Sequence, residues 1–128
     1  MTPPIMQYLS TALWASTDDD GEPLDRRFSI WDIAPESLAE VESEWSKFEA
    51  EYGQYFTSEH CLNYGPDCTD IIERAAHDFF LTRNRHGAGF WDGDWAEPAA
   101  SILTEASRKL GESDPYVGDD GLIYFFPH

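Results

Sequence analysis

The sequence predicts an α+β fold: one mostly helical domain spanning 1–128, with about four helices and a small C-terminal antiparallel β-hairpin. Three observations lead there. Apolar residues return at three- and four-residue spacing in four separate stretches, as on helices that bury one face. The last stretch, PYVGDDGLIYFF, changes to two β-rich runs around a Gly-Asp-Asp-Gly turn. The chain has 128 residues, 41% apolar and 15% aromatic, which is enough to enclose a single core.

Each element has its own signal. Pro3 and Pro4 suit a first helical turn, and Ile5, Leu9, Ala12 and Leu13 share the face that follows, so a helix is expected over 4–16. The run TDDDGEPLDRR breaks it with aspartates, Gly21 and Pro23. In WDIAPESLAEVESEWSKFEAEYGQYF, Pro35 fits the first turn of the strongest helix. Leu38, Val41, Trp45, Phe48, Tyr52 and Tyr55 form its buried stripe. Thr69 or Asp67 is expected to cap a third helix with Ile72, Ala75, Ala76, Phe79 and Phe80 inward. A fourth opens near Pro98 and closes at Gly111, with Arg108 and Lys109 at the negative end of its dipole. One core is expected to hold Trp14, Trp45, Phe79, Phe80, Phe90 and Trp91.

Charge is the dominant feature. Eight Lys and Arg face 25 Asp and Glu, a formal net charge of −17. That balance repels nucleic acid and anionic membrane and attracts basic surfaces. No apolar run approaches the roughly 20 residues that span a bilayer. The opening MTPPIMQYL has no basic region before its apolar stretch and does not read as a signal peptide. Cys61 and Cys68 are expected as a reduced cytosolic pair rather than a disulfide. Only His60 stands near them, too few ligands for zinc.

The segment TRNRHGAGFWDGDW, residues 82–95, joins the third and fourth helices. It could be an active site or a turn plugged with aromatics. Glycine supplies flexible backbone for a sharp turn, and Phe90, Trp91 and Trp95 can fold back onto the helices. The wider stretch AAHDFFLTRNRHGAGFWDGDW, the ending YVGDDGLIY and the start LWASTDDDGEPLD resemble a family of small acidic phage and prophage proteins. The likeness covers most of the chain. Phe80 stands where many members have Trp, and Arg85 where many have Gly, which argues against a strictly glycine-dependent backbone at 85. The resemblance implies a phage-encoded protein acting in the host bacterial cytoplasm, and it carries no general activity.

The motif offers little chemistry. His77, Asp78, His86 and Asp92 could hold a metal, and Arg83 and Arg85 could clamp a phosphate. Yet His77 and Asp78, adjacent on a helix, point about 100° apart. The sequence has no Gly-rich phosphate loop, His-Glu-x-x-His motif or Gly-x-Ser-x-Gly elbow. The expected role of His77 and Arg83 is to hydrogen-bond carbonyls and carboxylates of the turn.

The acids lie elsewhere. Residues 17–51 hold twelve acids and three bases, a net of −9, while 52–91 carry only −2. On the second helix Glu36, Glu40 and Glu44 recur at steps of four, expected as one row facing away from the core. Glu42 and Glu49 are expected beside it. One strand of duplex DNA carries a phosphate per 3.4 Å or so of axis, which its binding proteins meet with Lys and Arg. Carboxylates at comparable spacing can present the same field. The expected function is therefore a non-enzymatic DNA mimic that occupies the DNA-binding cleft of a host enzyme, without cofactor or metal. The contact carboxylates would be Asp18, Asp19, Asp20, Glu22, Glu36, Glu40, Glu42, Glu44, Glu49 and Glu51. Analogy with acidic phage inhibitors ranks DNA gyrase first, before restriction or CRISPR machinery. Two alternatives stand beside it: a metal-dependent hydrolase using His77, His86 and Asp92, and a phage structural or scaffolding protein. A homodimer is left open.

Overall fold

Proline begins two of the four α-helices among the described residues. α1 (Pro3–Ala15) and α2 (Pro35–Tyr52) both carry it in the first turn, where a missing N–H costs nothing. The computed structural model describes residues 1–62 and 70–126. α3 (Ile71–Arg83) is capped by Asp70, whose carboxylate accepts the Ile72 N–H at 2.8 Å. The caps expected at Thr69 or Asp67 lie outside the described residues, as does Cys68. α4 (Ala99–Lys109) starts after Pro98, and the Glu97 carboxylate takes the Ser101 N–H at 2.8 Å and its hydroxyl at 2.6 Å. Gly111, at φ +79°, follows its end.

The chain closes in a hairpin of β1 (Asp114–Val117) and β2 (Ile123–Phe126), paired antiparallel with Val117 opposite Ile123 and Tyr116 opposite Tyr124. β2 is tied back to the helical layer. The Ile123 carbonyl accepts the Ala34 N–H at 2.8 Å, and the Phe125 N–H donates to the Ser37 hydroxyl at 3.3 Å. Among the described residues the fold is the expected α+β arrangement of four α-helices and one C-terminal hairpin.

α1 packs chiefly on α3, and an aromatic cluster fills the space between these helices and α2. Phe48 stacks on Phe79 with ring centres 4.3 Å apart, and Trp45 stacks on Phe56 at 5.8 Å. Phe90 and Trp95 fold back onto this cluster from the segment after α3. Two expected core residues are not in it. Trp14 is 60% exposed on the outer flank of α1, its ring beside His77. Trp91 is 47% exposed, because the turn sends Phe90 inward and its neighbour outward. Within this segment the interior indole is Trp95, whose N–H has a buried acceptor to meet.

Candidate functional site

α2 presents its carboxylates according to helical geometry. Each residue turns the helix by about 100°, so steps of four drift by about 40° around the axis. Glu36 therefore points to solvent, Glu40 lies closer to the core, and Glu44 reaches the edge of the stripe formed by Val41, Trp45 and Phe48. The row expected to face away from the core slants into it. Glu44 takes both ends of the Arg83 guanidinium, Nη1 to Oε1 at 2.9 Å and Nη2 to Oε2 at 3.2 Å.

Arg83 is one of the largest side chains wholly inside the protein, 1% exposed. Its Nε donates to the Gly111 carbonyl at 3.0 Å and Nη1 reaches the Tyr8 hydroxyl at 3.4 Å. The guanidinium lies over the Phe79 ring, 5.4 Å from its centre. A buried cation is stable only when its donors are met, and here one carboxylate, one carbonyl, one phenol and one ring meet them. Burial pushes the Tyr8 hydroxyl up to about 12. The partners come from α1, α2 and the loop after α4 rather than from the 84–95 turn, as had been expected. Glu44 is thus committed to the fold and leaves the set of contact carboxylates.

Glu42 and Glu49 also lie elsewhere than expected. They follow the opposite flank of α2, roughly 160° around from the mean of Glu36, Glu40 and Glu51. Between the two rails runs a strip of small exposed residues, Ala39, Ser43, Ser46 and Ala50. Lys47 interrupts the first rail. In the preceding loop, Asp19 and Asp20 are exposed, whereas the Asp18 carboxylate closes the turn by accepting the N–H of Asp20 at 2.9 Å and of Glu22 at 3.0 Å. Glu22 pairs with Arg26 across exposed surface at 3.0 Å. Asp119 at the hairpin tip adds a carboxylate absent from the expected set, while Asp120 beside it accepts the Leu122 N–H at 3.0 Å and the Tyr124 hydroxyl at 2.6 Å. Their signal in the sequence was read only as turn chemistry.

The 82–95 segment is built as a chain reversal. The Thr82 hydroxyl accepts the Phe90 N–H at 3.0 Å. Asn84 donates to the Phe80 carbonyl at 3.1 Å and accepts the Ser113 N–H at 2.6 Å. Arg85 stands in the left-handed region at φ +57°, a backbone that favours glycine, contrary to what its side chain suggested. Asp92 receives the Gly89 N–H at 3.2 Å. His86 stacks on Phe80, with ring centres 5.7 Å apart.

The candidate ligands and clamps are not drawn together. The His77 Nδ1 is 2.8 Å from the Thr11 hydroxyl of α1, not bonded to the turn, and burial followed by the nearby Arg74 lowers its pKa. Asp78 turns the other way and accepts the Trp95 indole N–H at 2.7 Å. Arg74 sits 3.9 Å from Asp78 and 2.7 Å from Asp94. Burial pushes the Asp78 carboxyl up to about 7 against the opposing pull of Trp95 and Arg74. Among the described residues no three His, Cys, Asp or Glu side chains form a group that could hold a metal. Arg83 points inward and Arg85 outward toward Glu112 at 4.0 Å, so they do not converge on one anion.

No family model, curated protein or solved structure matches the chain. Among the described residues no helix is long and apolar enough to cross a membrane. What distinguishes the surface is charge held on a rigid scaffold, beside a motif whose polar groups are largely spent on internal bonds.

Proposed function

We propose that the protein is a DNA mimic that occupies the DNA-binding cleft of a host DNA-binding enzyme and blocks it. One observation carries this reading. An 18-residue helix, anchored through its apolar stripe, holds two rails of carboxylates on either side of a strip of small residues. Glu36, Glu40 and Glu51 form one rail, Glu42 and Glu49 the other. A helix with its side chains is about 10–12 Å across. The rails are therefore separated on the scale of a DNA groove, whose major groove is about 12 Å wide. Asp19, Asp20 and Glu22 extend the negative surface on the loop before α2. The net charge of −17 adds a long-range field that draws basic clefts and speeds encounter.

Affinity capture from bacterial lysate at low salt, followed by mass spectrometry, tests the reading. The expected catch is a DNA-binding protein that elutes as salt rises, because charges on the surface are screened over about 10 Å at 0.1 M. DNA gyrase is the first target to assay, by analogy with acidic phage inhibitors. Recovery of no DNA-binding protein, or a catch held equally well at high salt, would turn the reading toward a scaffolding role.

A further inference from the structure

The hairpin leaves one strand edge open beside an acidic cleft. Gly118 donates to the Leu122 carbonyl at 2.8 Å, which fixes the alternation along the ladder. Tyr116 with Tyr124, and Asp114 with Phe126, then exchange bonds across the pair, while Pro115 and Val117 turn their backbone groups to the outer side. The partners of Ile123 and Phe125 on the helical layer agree with this phase, since those two residues sit opposite Val117 and Pro115. Among the described residues β1 pairs only with β2, and neither the Val117 N–H nor its carbonyl has a backbone partner.

A cleft of about 310 Å³ runs along this edge, with Pro115, Tyr116 and Val117 on one wall and the 17–20 loop on the other; Arg27, which also lines it, pairs with Asp18 at 3.7 Å. Asp19 and Asp20 stand on that loop, and Asp119 and Asp120 stand at the hairpin tip beyond Val117. On the outer face Tyr116 stacks with Tyr124 at 5.8 Å and meets Phe126 edge-on at 6.5 Å, with Tyr116 and Phe126 exposed. A bare strand edge offers main-chain bonds to an extended segment. Carboxylates on both sides, and ring faces beside them, select Lys and Arg on that segment.

We infer that the open edge of β1 takes up an extended, lysine- or arginine-rich segment of the target protein as a third strand. This rests on the proposal that the acidic surface binds a basic protein and names a second contact made outside α2. Val117 is the residue on which the main-chain contact turns. Proline there removes the outward N–H and leaves the ladder to β2 intact, a substitution that edge strands accept.

The test uses the full chain and a capped octapeptide alternating lysine with threonine or valine, its affinity read by fluorescence anisotropy at low salt. Two further peptides carry N-methyl groups on alternate residues, one on the odd positions and one on the even. Strand addition uses one row of peptide N–H groups, so one methylated peptide should bind like the parent and the other about tenfold more weakly. Val117→Pro should lose a similar factor while its melting temperature stays with the parent's. Equal binding by both methylated peptides, unchanged affinity in Val117→Pro, or no peptide binding would overturn strand addition. None of these outcomes bears on the α2 rails, which are tested separately by competition with DNA. If Val117→Pro unfolds, the methylated pair decides alone.

Discussion

Arg83 and Glu44 form a bidentate pair that joins α2 to the end of α3, with the arginine sealed inside the protein. The pair makes one acidic residue of α2 part of the core's wiring. Breaking a buried pair by removing one partner costs about 3–5 kcal/mol, since an unmatched charge stays behind. Glu44 is itself partly exposed, which places its removal at the lower end of that range.

The first prediction separates Glu44 from its neighbours. Glu44→Lys should lower stability by about 3 kcal/mol or more, placing two cations against each other. Glu36→Lys, two helical turns earlier on the exposed face, should change it by less than about 0.5 kcal/mol. Chemical denaturation of both variants reads the difference. Similar stabilities would mean that the pair contributes little.

A second prediction concerns pH. Asp78 is raised to about 7 in the folded protein from an ordinary value near 4. The folded state therefore holds this proton over a range where the unfolded state has lost it. The stabilisation is fully present below about pH 4 and is lost as pH rises toward 7. Asp78→Asn keeps an acceptor for the Trp95 N–H and removes the charge. Between pH 5 and pH 8 the variant should gain about 2–3 kcal/mol on the parent, by the linkage of about 1.4 kcal/mol per pH unit. A constant difference across that range would show that Asp78 titrates normally.

The third prediction lies in the reversal after α3. Arg85→Gly should stabilise by about 1 kcal/mol, because a left-handed backbone costs a side chain roughly that much and the ion pair lost to Glu112 is exposed. Gly89→Ala should do the opposite. Gly89 has φ +154° and a Cβ there would collide with the Thr82 hydroxyl that holds Phe90, so a loss of about 1–3 kcal/mol is expected. Thermal melts that rank the two variants in the reverse order would contradict this account of the turn.

Periodicity made the helices and hairpin legible, because Leu9, Val41, Trp45, Phe79 and Leu103 sit where a 3.6-residue repeat must bury them. It could not choose between neighbouring indoles. Trp91 and Trp95 carry the same side chain, and only the buried Asp78 acceptor decides which one turns inward. Glu44 was misplaced for a geometric reason: spacing of four reads as a row, yet the drift of the helix carries the third member to the edge of the core. Arg83 gave no local sign of its destination, since Glu44, Gly111 and Tyr8 are 28 to 75 residues away. The acidic surface itself was plain from composition. Its division into two flanking rails needed the orientation of α2 on the core.

The most direct measurement of the central claim is competition between this protein and labelled duplex DNA for the DNA-binding protein it captures. The comparison is the parent against Glu36→Lys/Glu42→Lys/Glu49→Lys, which reverses charge on both rails and spares Glu44. The parent should displace DNA, less effectively as salt rises. The triple variant should keep the parent's fold, read by its melting temperature and circular dichroism, and lose at least tenfold in displacement. Equal displacement by the two proteins, or binding of the parent that duplex DNA in excess does not compete away, would contradict the claim that these carboxylates stand in for phosphates.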